Sequence, residues 1–127
     1  MKTVSLIARY LLGLIFLVFG LNGFLHFIPM PPPTGVAGQY LGALFVSHFL
    51  VAVFLLQLAG GVLLLANRFV PLALVLLGPV VVNILLFHAL MAPEGLPLAV
   101  VVTVLWLTVL FGVRRAFAGI FALRATV

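Results

Sequence analysis

Four long apolar runs, separated by short breaks, dominate the sequence. A membrane-spanning helix needs about 20 mainly apolar residues, and each run approaches or exceeds that length. The predicted helices cover residues 6–28, 40–66, 70–91 and 96–113. The breaks carry prolines after Ile28, the pair Asn67 and Arg68, and a Pro–Glu–Gly turn after Ala92. We therefore expect four hydrophobic helices in one domain, residues 1–127.

The composition argues against a soluble globular fold. Hydrophobic residues make up 67% of the chain and charged residues only 6%, against about 45–50% and about 25% in soluble domains. A small domain buries the smallest fraction of its surface, so it cannot hide this much apolar area. Lipid must cover the remainder, and the chain is predicted to be an integral membrane protein.

The apolar runs are better explained by helices than by strands. They exceed strand length and lack the alternation of a membrane barrel, and backbone groups in lipid must be satisfied within the segment. The sequence thus predicts an all-α integral membrane four-helix bundle. Residues 114–127 follow as a short tail, in which Phe117, Ile120 and Phe121 among arginines predict an interfacial amphipathic helix.

The basic residues predict the orientation of the bundle. They are Lys2, Arg9, Arg68, Arg114, Arg115 and Arg124. All lie on one side of the predicted bundle, and the positive-inside rule makes that side cytoplasmic. We expect both termini in the cytoplasm and the protein in the inner membrane. The first run is too long for the apolar core of a signal peptide, so we expect it to be retained.

Several function classes are excluded or left without support. The chain has no cysteine, which excludes thiolate catalysis and cysteine-ligated metals. It has no phosphate loop, zinc motif or catalytic triad, so the sequence leaves enzymatic activity open. The basic residues form no stripe of the kind that binds nucleic acid.

Few polar side chains interrupt the apolar runs, and such groups usually face partners or cavities. The candidate ligand-binding residues are Asn22, His26, His48, Gln57, Asn83, His88 and Glu94. The three histidines and the one carboxylate fall toward the end opposite the basic residues. We expect them to ring an outward-facing polar pocket, with the two asparagines as its floor.

Helix geometry refines these expectations. Gln57 and Gly61 lie within about 40° of each other on an ideal helix, and small residues let helices approach closely, so this face should pack inward. Asn22 and His26 share a helix face. Asn83 and His88 are about 140° apart, which predicts that one site does not use both directly.

The polar residues leave three interpretations open. They can be structural, with each side chain hydrogen-bonded to a neighbouring helix. They can bind a lipophilic headgroup such as a quinone. They can ligate haem or a metal, since imidazoles suit both, although no metal-ligand motif is present and no metal site is predicted.

Several segments together resemble the DoxX family of small bacterial membrane proteins. The segments are ARYLLGLIF (8–16), GLNGFLHF (20–27), NRFVPLAL (67–74), VNILLFH (82–88) and APEGL (92–96). The resemblance implies four helices in the inner membrane and association with quinone-linked or thiol-redox complexes. Relatives tend to carry a Glu before the glycines of the second helix, where this chain has Gln57. The polar positions that match are Asn22, His26, Asn83 and His88.

Together these observations predict a DoxX-like membrane subunit that binds quinone or another lipophilic ligand in support of an oxidoreductase. The alternative is a non-enzymatic structural or assembly subunit of a larger membrane complex. The expected partners are the lipid bilayer, a larger membrane or redox complex, and possible second copies of the chain in a homodimer.

Overall fold

The computed structural model describes residues 1–125, which are helical and contain no strand. The five α-helices are α1 (Lys2–Leu25), α2 (Gly35–Val46), α3 (Phe49–Ala66), α4 (Val70–Leu90) and α5 (Leu96–Gly112). A 3₁₀ turn, Pro93–Gly95, leads into α5, and a second, Arg114–Phe117, follows it. The all-α prediction is confirmed.

Four segments are long and apolar enough to cross a membrane. They are α1, α3, α4 and the segment Pro93–Gly112, which includes α5. Large apolar side chains are exposed along all of them, among them Leu14, Leu55, Val82 and Val104. An exposed apolar surface of this extent needs a nonaqueous environment or a partner to cover it.

The bundle has one end at which three chain segments meet. Arg9 of α1 donates a hydrogen bond to the carbonyl of Leu64 near the end of α3. A Cβ on Gly112, at the end of α5, would overlap Ser5 near the start of α1. The start of α1, the α3–α4 turn and the end of α5 therefore share one end. The ends of α1 and α4, which carry His26 and His88, lie at the other.

Arg9 is buried rather than a freely exposed flanking charge. Only 8% of its surface is exposed, and its guanidinium lies 4.5 Å from the centre of the Tyr10 ring. Its bond to Leu64 satisfies a carbonyl in the last turn of α3, where the helix dipole favours positive charge. Arg9 thus fastens α1 to the end of α3.

Glycines bring α1 and α3 into close contact. A Cβ on Gly61 would stand 2.9 Å from the carbonyl oxygen of Gly13 and 2.8 Å from the backbone nitrogen of Leu17. On the adjacent side, Gly60 receives the side chain of Leu77 from α4. Gln57, Gly60 and Gly61 are all buried. The prediction that this face packs inward is confirmed.

The second predicted helix, residues 40–66, is two helices, and that prediction is wrong. The chain breaks after Ser47, and His48 adopts a left-handed conformation with φ 64°. The Ser47 hydroxyl donates to the Leu44 carbonyl and accepts from the Phe49 amide. Short polar side chains compete in this way with helical hydrogen bonds, so a continuous apolar sequence does not guarantee a continuous helix.

Helix α1 also ends earlier than predicted, at Leu25 instead of residue 28. His26 is left-handed, with φ 52°, and its amide bonds to the Asn22 carbonyl. The Asn22 side chain accepts a hydrogen bond of 2.7 Å from the Ile28 amide. These bonds end the helix before the proline segment begins.

The tail differs from the interfacial helix predicted over residues 114–127. Within residues 114–125 it consists of the 3₁₀ turn Arg114–Phe117 and further turns. Phe121 and Leu123 are almost fully exposed. Residues 126 and 127 of the predicted helix lie outside the described residues.

Candidate functional site

A large cavity lies between α2, α3 and α4. Its volume is about 870 Å³, which falls within the usual range of roughly 300–1,000 Å³ for small-molecule sites. Its walls are mainly apolar, with Leu41, Phe45, Val53 and Ile84 among them. Mostly apolar walls with a few polar groups are typical of sites for small organic ligands.

The break at Ser47 and His48 creates the cavity. Because α2 leaves the line of α3 there, it does not join the close-packed bundle, and Ala37 is its only buried residue. Gly42 on α2 lines the cavity, and a Cβ added to it would have no neighbour within 4 Å.

Gln57 is the most deeply placed polar residue of the cavity wall. It is 8% exposed, and its amide oxygen is buried without a hydrogen-bond partner among residues 1–125. A buried unpaired polar atom costs about 1–3 kcal/mol. Rotation about the last side-chain torsion exchanges the amide oxygen and nitrogen, so the amide can present either atom to a ligand.

Asn83 and Tyr40 face each other across the cavity. The Tyr40 hydroxyl donates a hydrogen bond of 2.8 Å to the Asn83 side-chain oxygen. The Tyr40 ring also packs on Phe87, with 5.6 Å between ring centres. All three residues line the cavity. Tyr40 therefore connects α2 to α4.

His88 lines the cavity from the last turn of α4. Its Nδ1 atom lies 3.1 Å from the Ala92 carbonyl oxygen. Its ring packs edge-on against Phe87, with 5.0 Å between centres, and lies so close to Gly95 that a Cβ there would overlap it. The imidazole is thus held in one orientation.

The structure gathers four of the seven predicted site residues around the cavity. They are His26, Gln57, Asn83 and His88. Gln57 lies in the packed helix face, as expected, and one side of its side chain also borders the cavity. Asn83 and His88 both line the cavity, and the expectation that no single ligand group uses both directly stays a prediction.

The other three predicted residues do not line the cavity. Asn22 is engaged in ending α1 through its bond to Ile28. His48 is exposed at the break between α2 and α3, where it starts α3 in a left-handed conformation. Glu94 is exposed on the 3₁₀ turn before α5. The polar ring predicted from all three histidines and the carboxylate is therefore not the arrangement observed.

Sequence reasoning missed Tyr40, because it was placed at the start of a spanning helix. The one signal that could have identified it is the glycine-rich stretch around it, with Gly35, Gly38 and Gly42. Glycine lowers helix stability. A segment with three glycines is therefore less suited to be the first turns of a long spanning helix, and this indicates a separate short helix.

No group of three or more His, Asp or Glu side chains within residues 1–125 is arranged to hold a metal ion. The polar atoms around the cavity belong to two amides, two imidazoles and one phenol. Such groups donate and accept hydrogen bonds without carrying a fixed charge. The cavity therefore suits an uncharged ligand with a small polar headgroup.

Comparison of the chain with protein-family models, with curated proteins and with solved structures finds no match. The resemblance to the DoxX family therefore stays a prediction, and function must be argued from the cavity.

Proposed function

We propose that the protein is an integral membrane protein that binds a quinone or another lipophilic ligand in the cavity between α2, α3 and α4, as a subunit supporting an oxidoreductase. The observation that carries this proposal is the unpartnered Gln57 amide in the wall of a large apolar cavity. Folding leaves a buried polar atom unpaired only at a cost, and a bound headgroup is one way to offset it.

The proposed setting is the inner membrane, with both termini in the cytoplasm. Support comes from the four long apolar helices and from the end of the bundle at which Arg9 and the α3–α4 turn meet. Arg68 belongs to that turn, and Arg114 and Arg115 follow α5. An excess of arginine and lysine is typical of the cytoplasmic side. The cavity would then open toward the opposite half of the bilayer.

The proposed ligand class follows from the cavity wall. Apolar side chains cover most of it, which favours a ligand that partitions into lipid. Gln57 on α3 and Asn83 and His88 on α4 supply hydrogen-bonding groups at different points of the wall, to which a polar headgroup can bind. A quinone combines both features, and the resemblance to the DoxX family supports the link to redox complexes.

The first test is native mass spectrometry of the protein purified from membranes in mild detergent. We expect a stoichiometric lipophilic ligand in the wild type. Affinity for this ligand should fall about five- to tenfold in Gln57→Leu, and occupancy with it, since a hydrogen bond to a buried polar group is worth about 1–1.5 kcal/mol. The control is Thr103→Val, because the Thr103 hydroxyl bonds to the Ala99 carbonyl of its own helix.

A second variant fills the cavity instead of removing a hydrogen bond. Gly42→Leu adds a side chain where Gly42 lines the cavity and should expel the ligand. Gly119→Leu is its matched control, since a Cβ on Gly119 also meets nothing within 4 Å and Gly119 does not line the cavity. Equal occupancy in Gly42→Leu, Gln57→Leu and the controls would overturn the proposal.

A structural or assembly subunit is the second candidate. It is favoured because Asn22 and His88 bond within the chain, as purely structural polar groups would. This candidate predicts a larger membrane protein that copurifies in fixed ratio from native membranes, with Gly42→Leu leaving the ratio unchanged. A protein that purifies without such a partner would count against it.

A further inference from the structure

The orientation of His88 determines which of its ring nitrogens can meet a ligand. Nδ1 lies 3.1 Å from the Ala92 carbonyl oxygen. A carbonyl oxygen only accepts hydrogen bonds, so Nδ1 must carry the proton for this bond to form. In the neutral imidazole the other nitrogen, Nε2, then has a lone pair and no proton.

The bond to Ala92 favours one of the two flipped orientations of the ring, and packing limits its other movements. Gly95 leaves just enough room for the imidazole, because any side chain at that position would overlap it. Phe87 packs edge-on against the imidazole, with an angle of 73° between the two ring planes. A rotated ring would give up the bond to Ala92 and meet the same two neighbours. A neutral His88 in this orientation carries its proton on Nδ1, and its remaining nitrogen is a hydrogen-bond acceptor.

We propose that the cavity prefers ligands whose headgroup carries a hydroxyl, such as a quinol, over the corresponding dicarbonyl, because His88 offers an acceptor and no donor. This inference rests on the proposed function and names the form of the ligand. A quinol hydroxyl donates to Nε2 of His88. A quinone carbonyl oxygen can only accept a hydrogen bond, so its lone pair and the lone pair of Nε2 repel each other.

The two amides of the cavity do not discriminate in this way. The Gln57 amide can turn its oxygen or its nitrogen to the ligand. The Asn83 oxygen already accepts from Tyr40, and its NH₂ group can donate to a hydroxyl or a carbonyl alike. Among Gln57, Asn83 and His88, only His88 separates the two forms.

Binding of three matched probes tests the inference. They are a short-chain 1,4-benzoquinol, its benzoquinone and its dimethyl ether, titrated into the full chain in nanodiscs at pH 8 without oxygen, with empty nanodiscs as the blank. The quinol should bind at least about fivefold more tightly than the quinone or the ether. A factor of about five in affinity corresponds to one net hydrogen bond. The ether keeps the shape of the quinol but cannot donate.

Two variants attribute the preference to His88. His88→Phe keeps an aromatic ring beside Gly95 and should bind all three probes alike. Gly95→Ala leaves His88 in the chain but pushes its ring away from Ala92, and should also abolish the preference. If both variants kept the preference of the wild type, His88 would not be its source.

Nitrogen-15 spectra of the ligand-free protein give a readout that needs no probe. The His88 signals are those that disappear in the His88→Phe spectrum. The inference requires these signals to show the Nδ1–H tautomer, and the Nε2–H tautomer would overturn it. Tight binding of quinol and quinone with equal affinity would also overturn it, while the proposed function would stand. Failure of all three probes to bind would reject the proposed function for this ligand class and the inference with it.

Discussion

The Tyr40 hydroxyl on α2 donates a hydrogen bond of 2.8 Å to the Asn83 side chain on α4, across the mouth of the cavity. The bond joins a short, loosely packed helix to one that belongs to the core. On the other side α2 connects to α3 through His48, a left-handed residue. Helix α2 is thus joined to α3 through one left-handed residue and held to α4 by a polar contact.

Tyr40→Phe should loosen α2 without removing its contact with Phe87, because only the hydroxyl is lost. Spin labels at Val46→Cys and Leu86→Cys, both exposed positions, would report the α2–α4 distance in a chain that has no other cysteine. We expect a broader distance distribution in Tyr40→Phe than in the wild type. Tyr10→Phe, at the opposite end of the bundle, is the control. An unchanged distribution would show that the hydroxyl does not hold α2.

Gln57→Leu should stabilise the ligand-free protein by about 1–3 kcal/mol, because it removes a buried amide oxygen that lacks a partner. The gain should appear in equilibrium unfolding in mixed micelles. Thr103→Val should show no comparable gain, because the Thr103 hydroxyl already has its bond. A loss of stability in Gln57→Leu would instead mean that the amide holds helices together.

Replacing either of two glycines by alanine should change the stability of the protein, and the two changes should have opposite signs. Gly61→Ala should destabilise the bundle by about 1–3 kcal/mol, the usual cost of overpacking, because its Cβ meets the backbone of α1. Gly42→Ala should stabilise α2 by roughly 0.5–1 kcal/mol, since alanine favours helix and the added methyl group meets open space. Thermal unfolding of the two variants checks both signs. Equal shifts would contradict the close approach of α1 and α3.

His48→Gly should stabilise the protein by up to about 1 kcal/mol. A left-handed conformation costs a non-glycine residue roughly 1–2 kcal/mol, and glycine avoids that cost while losing more backbone entropy on folding. Ala43→Gly, within α2, should instead destabilise by about 1 kcal/mol. If His48→Gly were as harmful as Ala43→Gly, residue 48 would lie in a continuous helix.

The sequence alone determined the helical class and the approximate positions of the apolar segments, because both follow from local composition; the breaks at His26 and His48 did not follow from it. Runs of apolar residues bounded by proline and arginine are enough to predict four hydrophobic helices. The inward face of Gln57 and Gly61 could also be predicted, since helix periodicity and residue size decide which face packs. No contact between distant segments is needed for any of these predictions.

Only the tertiary structure decided where the cavity lies and which polar groups line it. The bond between Tyr40 and Asn83 joins residues 43 positions apart. The hydropathy of the chain does not predict that α2 lies next to α4. Asn22 looked like a site residue, yet it ends α1, because a side chain that can bond locally satisfies its own backbone first. The orientation of the His88 ring likewise depends on the turn after α4, which places Ala92 and Gly95 against it.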